Sequence, residues 1–420
     1  MTEFYDALEQ RDPGEREAAL RRALPAQVAA AQATAAFAEI LRGVDAAAID
    51  SRGALAQLPV TRKHELLERQ KAGRASDPFG GFAAIGWRGL GAARTARRVF
   101  QSPGPLYEPE GAAADYWRFA RALFAAGFRA GDLVHNSFSY HLTPAGSMVD
   151  TGAQALGCAV FPGGVGNTEL QLQALAELRA DAYAGTPSFL RIVLDKADEA
   201  GIALPALRKA SVGGEAFPAA LRDAWRARGI EAFQSYGTAD LGLIAYETAA
   251  REGLVLDEGV IVEIVRPGTG DPVAAAGEVG EVVVTTLNPD YPLIRFGTGD
   301  LSAILPGRCP TGRSNTRIKG WLGRADQTAK VRGMFVHAAQ VAELAKRHPE
   351  VQRARLVVEG EMANDRMTLH AEVAGTAEGL AAALAGGVRE LTKLRCEVRL
   401  VAPGTLPNDG KVIEDLRQIN

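Results

Sequence analysis

The alternation of apolar and polar positions changes its rhythm three times along this chain. Over residues 1 to about 75, the stretch LEQRDPGEREAALRRALPAQVAAAQA spaces its apolar residues as a helix does, in a background rich in Ala, Arg, Glu and Leu. It predicts a leading helical segment punctuated by Pro13 and Pro25. From Phe119 the pattern alternates between helical runs (FARALFAAGF, the segment after Pro144, LQLQALAEL) and short apolar runs (DLVHNSF, CAVFPGG, DAYAGTP) joined by Gly or Pro. That alternation predicts parallel βαβ units.

From about Asp257 the β-branched runs VIVEIVRP and GEVGEVVVTTL predict a more antiparallel β module. After RIKGWLGRADQTAKVRG the last hundred residues read as a helix, the strands RARLVVEG and RMTLHAEV, a helix within GTAEGLAAALAGGV and the strand EVRLVA. The expected organisation is a large N-terminal α/β domain, residues 1–322, and a small α+β C-terminal domain, residues 323–420, with no internal repeat.

Composition narrows this picture. With 420 residues the chain is long enough for about two or three domains, and 47% hydrophobic and 23% charged residues lie near soluble-protein averages. A net charge of −3 gives no reason to expect a nucleic-acid partner or a membrane surface. The amino terminus lacks a basic and apolar leader pattern, and no run reaches the roughly 18 apolar residues of a span. Cys158, Cys309 and Cys396 are odd in number and widely spaced, which argues against a disulfide framework. A cytoplasmic protein is expected.

Five segments carry candidate chemistry. VGGEAF, Val212 to Phe217, follows a strand with glycines that let a ligand approach the backbone. QSYGTADLG offers the Tyr236 ring for stacking and the Asp240 carboxylate for a metal ion. In PLIRFGTGDL, Asp300 ends a strand, where it suits a pair of ribose hydroxyls. GRADQTAKVRG lies at the domain boundary, and LPNDGKVIED sets Lys411 on a glycine turn. Each alone is ordinary turn chemistry or a solvated charge.

In this order the segments resemble the adenylate-forming superfamily, and within it the phenylacetate-CoA ligase branch. LPVTRKHEL, from Leu58, is similar to that branch's opening motif, so the resemblance runs from Leu58 to Lys411. It implies the adenylating-enzyme fold with a mobile C-terminal domain. Gly213, Gly214 and Glu215 would lie along adenine, within a nucleotide site that also takes Ser235, Tyr236, Gly237 and Thr238. Asp240 would stand near Mg²⁺ where the family usually has glutamate. Asp300 and Arg324 would hold the ribose, Asp326 would be the hinge, and Lys411 would bridge the acid's carboxylate and the α-phosphate. Independently of the resemblance, a point cation between two approaching anions stabilises the transition state, an effect worth about 10² to 10³ in rate.

The chain departs from the branch at FQSPGPLYEPEG, Phe100 to Gly111. Family members carry there a Ser/Thr/Gly-rich loop ending in Gly-Lys-Pro that holds the β- and γ-phosphates. Ser102 and Gly104 remain as candidates, but prolines remove amide donors, and Glu108 and Glu110 stand where phosphate is expected. Around YETAAREGLVLDEG and RCPTGR the branch often has a zinc site; Cys309 alone cannot build one, so no structural zinc is expected. Tyr140 and His141 in NSFSYHLTPAG, with Ala184 and Gly185 in AGTPSFL, are candidates for the acyl pocket.

The resulting expectation is an ATP-, Mg²⁺- and CoA-dependent ligase activating an aromatic acid such as phenylacetate or a benzoate, compatible with a homodimer. Two rivals stay open: loading of a carrier protein in place of CoA, and a non-catalytic binding protein with a degenerate phosphate loop. A dinucleotide oxidoreductase is disfavoured because PGGVGNTEL lacks the G-x-G-x-x-G spacing.

Overall fold

A computed structural model describes residues 3–88, 90, 94–273, 275–331, 334–360, 366–375, 379–407 and 411–417. The chain forms two compact units, one of residues 1–298 and 303–321 and one of residues 299–302 and 322–420.

The first unit is built on a nine-stranded sheet. Its parallel half holds, in spatial order, Glu231–Thr238, Lys209–Val212, Ala182–Gly185, Leu133–Asn136 and Ala159–Pro162. The helices Ala145–Ala155, Thr168–Leu178, Pro187–Ala200 and Ala219–Ala227 make the crossovers. Beyond Glu231–Thr238 the sheet turns antiparallel through Gly242–Glu247, Leu254–Leu256, Arg317–Ile318 and Ile304–Leu305. The antiparallel change therefore comes two hairpins earlier than the β-branched runs suggested. Gly242, at φ +72°, closes that hairpin, and a Cβ there would stand 2.8 Å from the Trp117 carbonyl. A second, four-stranded sheet pairs Thr61–Arg62, Phe296–Ser302, Gly280–Thr286 and Val260–Val265.

The leading segment is helical, with one correction. Pro13 opens the helix Pro13–Gln32 under the Asp12 cap, but Pro25 lies inside it and does not end it. Leu20, Leu24, Val28 and Ala31 form a buried face of that helix, and their packing outweighs the backbone bond that Pro25 forfeits. FQSPGPLYEPEG, expected as a loop, is largely a hairpin: Arg98–Ser102 pairs antiparallel with Leu106–Glu110.

The second unit has a four-stranded sheet in the order Glu397–Val401, Arg366–Val373, Val351–Glu359 and Ile413–Asp415, with helices Ala338–Arg347 and Leu380–Thr392. A short pair, Thr328–Val331 with Met334–His337, precedes it. Among the described residues no helix is long and apolar enough to cross a membrane.

Candidate nucleotide and acyl site

Parallel strands direct their carboxyl ends to one edge of a sheet, where ligands of open α/β folds bind. At that edge Lys209–Val212 runs into Gly213 and Gly214, and its neighbour Glu231–Thr238 carries Ser235, Tyr236, Gly237 and Thr238. Gly213 is needed for closeness: a Cβ there would meet the Ser235 carbonyl at 2.9 Å and its hydroxyl at 3.0 Å. Gly214 takes φ +78°. Glu215 is exposed, and its carboxylate accepts from Ser188 Oγ at 2.9 Å and from the Ser188 amide at 3.3 Å. A register shift between Tyr236 and Gly237 re-aims the chain before Asp240. Tyr236 donates its hydroxyl to Thr298 Oγ1 at 3.3 Å, and Thr238 Oγ1 accepts from the Leu241 amide at 3.2 Å.

Asp240 is 3% exposed, and Lys63 Nζ donates to its Oδ2 at 3.2 Å. Its Oδ1 is buried without a hydrogen-bond partner. That orphaned oxygen, like the buried Oε2 of Glu108, lacks a donor, and a cation would satisfy it. Lys63 opens the helix Lys63–Gly73 and was not among the expected site residues; the contact joins positions 177 apart in the chain, which no local motif reveals.

The hairpin turns its acids inward. Strand alternation puts Leu106, Glu108 and Glu110 on one face, and all three are buried. Glu110 accepts from Trp117 Nε1 at 2.8 Å, from Ser147 Oγ at 2.6 Å and from Arg98. Glu108 accepts from Ser102 Oγ. Burial first, and then the Asp240 charge, push the Glu108 carboxyl up from 4.5 to about 8, against the Ser102 hydrogen bond and the Lys63 charge. The two carboxylates are thus buried and bonded to the protein's own donors, at positions where the sequence led us to expect phosphate. Ser102, expected at the phosphates, is 3% exposed with its hydroxyl committed to Glu108. Gly104 is exposed in the turn.

Of the acyl-pocket candidates, Tyr140 accepts from Asn136 Nδ2 at 2.8 Å and donates to Asp150 Oδ1 at 3.4 Å; burial and Asp150 raise its pKa. His141 is exposed on the turn that Ser139 fastens. Ala184 is fully buried, and its carbonyl accepts from the Ser137 amide at 2.8 Å. Gly185 is flush against Ser137 and Tyr183, whose hydroxyls are hydrogen-bonded at 2.5 Å, and its carbonyl accepts from the Gly213 amide at 3.3 Å. Ser137 and Tyr183 were missed because nothing in their spacing marks them. A buried His135 is stacked beside Phe161 and bonded to Gln171 Oε1 at 2.7 Å; burial lowers its pKa against the Gln171 hydrogen bond.

In the second unit Arg324 Nη1 pairs with Asp300 Oδ1 at 3.1 Å, and Gly299, φ +72°, gives the guanidinium room. Asp326 lies in the turn Ala325–Gln327, with its side chain outside the described residues. Lys411 is exposed just before Ile413–Asp415, and the neighbouring Val412 amide is tied to Gln327 Oε1 at 2.9 Å. Cys309 is 3% exposed between Thr248 and Thr311 hydroxyls at 3.4 and 3.1 Å. Among the described residues no group of three His, Cys, Asp or Glu is arranged to hold a metal.

Residues 145–288 match the AMP-binding enzyme family. The chain is 33% identical to a phenylacetate-coenzyme A ligase of Aromatoleum evansii over 79% of its length and 75% of that protein. The chain belongs to the adenylate-forming superfamily, in its phenylacetate-CoA ligase branch. A Thermus thermophilus phenylacetate-coenzyme A ligase is 30% identical over 79% of this chain and 76% of its own. The fold agrees. An open conformation of 2-hydroxyisobutyryl-CoA ligase, in complex with 2-HIB-AMP and CoA, superposes with a TM-score of 0.81 at 22% identity over 97% of this chain and 93% of that one.

Proposed function

We propose that this chain is an ATP-dependent acid:CoA ligase of the AMP-forming type, which activates an aromatic carboxylic acid as an acyl adenylate and passes the acyl group to CoA. The observation that carries the reading is a single sheet edge where Gly213–Gly214, Ser235–Thr238 and the buried Asp240 follow adjacent parallel strands, in a chain with phenylacetate-CoA ligase relatives. The carboxylate oxygen of the acid attacks the α-phosphorus of ATP, the bond to the β-phosphate oxygen breaks, and pyrophosphate leaves. The CoA thiolate then attacks the acyl carbon and releases AMP.

In this reading Gly213 to Glu215 and Tyr236 flank adenine, Asp300 with Arg324 takes the ribose, and Tyr140 contacts the acid's ring. Asp240 would hold Mg²⁺, which when bound neutralises phosphate charge. Lys411 supplies the cation between carboxylate and α-phosphate, and Asp326 is the hinge that withdraws it.

Pyrophosphate release across a panel of aromatic and short aliphatic acids, with and without CoA, tests the reading. Acid-dependent release that falls by about 10² to 10³ in Lys411→Ala supports it. Full adenylation by that variant refutes the role of Lys411, and AMP binding without turnover of any acid selects the non-catalytic alternative.

A further inference from the structure

The Arg98–Ser102 and Leu106–Glu110 strands are joined by only Pro103, Gly104 and Pro105, because Ser102 and Leu106 are already register partners. Two of those three residues have no N–H, so the connection offers one backbone amide. Its one hydroxyl-bearing neighbour, Ser102, is buried and donates to Glu108.

The turn is also pinned from outside. Arg74 Nη2 donates to the Pro105 carbonyl at 2.9 Å. Gln70 bonds both backbone groups of Tyr107, donating to its carbonyl at 2.9 Å and accepting from its amide at 2.8 Å. On the opposite strand the Gln101 amide is taken by the Leu142 carbonyl at 2.7 Å. A cradle for a polyphosphate needs several converging donors; this hairpin has spent its own on internal partners.

We infer that the chain reads its nucleotide through the adenosine and α-phosphate alone, so that the β- and γ-phosphates add little to binding and the acyl adenylate is the form the site fits best. The inference rests on the adenylate-forming reading above. Hydrogen bonds to charged groups are individually strong, so a cradle of several amides would favour ATP over AMP by roughly a hundredfold or more. Without it, AMP and ATP bind with nearly equal affinity, and the second half-reaction outruns the first.

Calorimetric titration of the full chain with AMP and with MgATP, beside single-turnover thioester formation, tests this. One arm starts from purified aromatic acyl adenylates, phenylacetyl adenylate first, plus CoA; the other starts from ATP, the same acids and CoA. Dissociation constants within about threefold, with faster thioester formation from the adenylate, support the inference. ATP binding tenfold or more tighter than AMP overturns it while leaving the ligase reading intact. Binding of neither nucleotide removes both. In Pro103→Ser/Pro105→Gly, which restores two amides, ATP should tighten relative to AMP; an unchanged ratio in a folded variant would show that the prolines are not the cause.

Discussion

Glu108 and Glu110 in the hairpin, and Glu215 in the Gly-Gly-Glu turn, are three glutamates in segments expected to meet a nucleotide, yet the two regions use them in opposite ways. Glu215 is exposed and held by Ser188, whereas Glu108 and Glu110 are fully buried and are bonded to Ser102, Trp117, Ser147 and Arg98. In the turn the backbone defines the site and the side chain is left available. In the hairpin the side chains define the interior and the backbone is consumed by pairing.

The sharpest break of this contrast is Glu110→Ala. It strands the Trp117 indole N–H and the Ser147 hydroxyl in a buried space and removes the partner of Arg98, so urea unfolding should show a loss of about 3 kcal/mol. A loss below about 0.5 kcal/mol would mean the carboxylate is not an interior anchor. In the other region the sensitive position is a glycine. Gly213→Ala sets a methyl 2.9 Å from the Ser235 carbonyl, which forces the two strand ends apart. We expect a loss of about 1 to 2 kcal/mol together with weakened AMP binding; unchanged AMP affinity would remove Gly213 from the nucleotide site.

What the sequence made legible divides along the same line. The parallel strands, their helices and the Gly213–Gly214 turn follow from local patterns, since each depends on residues within a few positions. Lys63 with Asp240, Tyr246 with Glu9 and His135 with Gln171 depend on chain segments that meet only after folding, 177, 237 and 36 residues apart. Glu108 and Glu110 are an intermediate case: the period-two pattern that starts at Leu106 marks their face, but carboxylates at apolar positions read as surface until Trp117 and Ser147 are known to lie opposite them. Pro25 misled for a similar reason, because its cost is local and the packing that offsets it is not.

A smaller effect is expected at Glu108. Glu108 has its carboxyl raised to about 8 by burial and Asp240, so between its ordinary 4.5 and about 8 the folded chain holds a proton that the unfolded chain has lost. Its contribution to stability is complete below that window and falls as pH rises through it. Glu108→Gln removes the titration while keeping an acceptor for Ser102. Measured against the wild type, the variant should therefore gain on the order of 1 kcal/mol between pH 7 and pH 8.5. Parallel pH profiles for the two proteins would mean that Glu108 ionises normally in the fold.

The smallest expected change lies at Glu215, and it is the control that gives the others meaning. Its carboxylate is exposed and its Ser188 contacts lie on the surface, so Glu215→Ala should shift urea stability by less than about 0.5 kcal/mol. Its effect should appear only in ligand titrations, as weaker AMP binding with an unperturbed fold. If Glu215→Ala were as destabilising as Glu110→Ala, the turn would be another buried anchor and the division between the two regions would collapse. If it changed neither stability nor AMP binding, the nucleotide contacts at this edge would belong to the backbone of Gly213 and Gly214 alone, as expected where glycines at a strand end let a ligand approach the main chain.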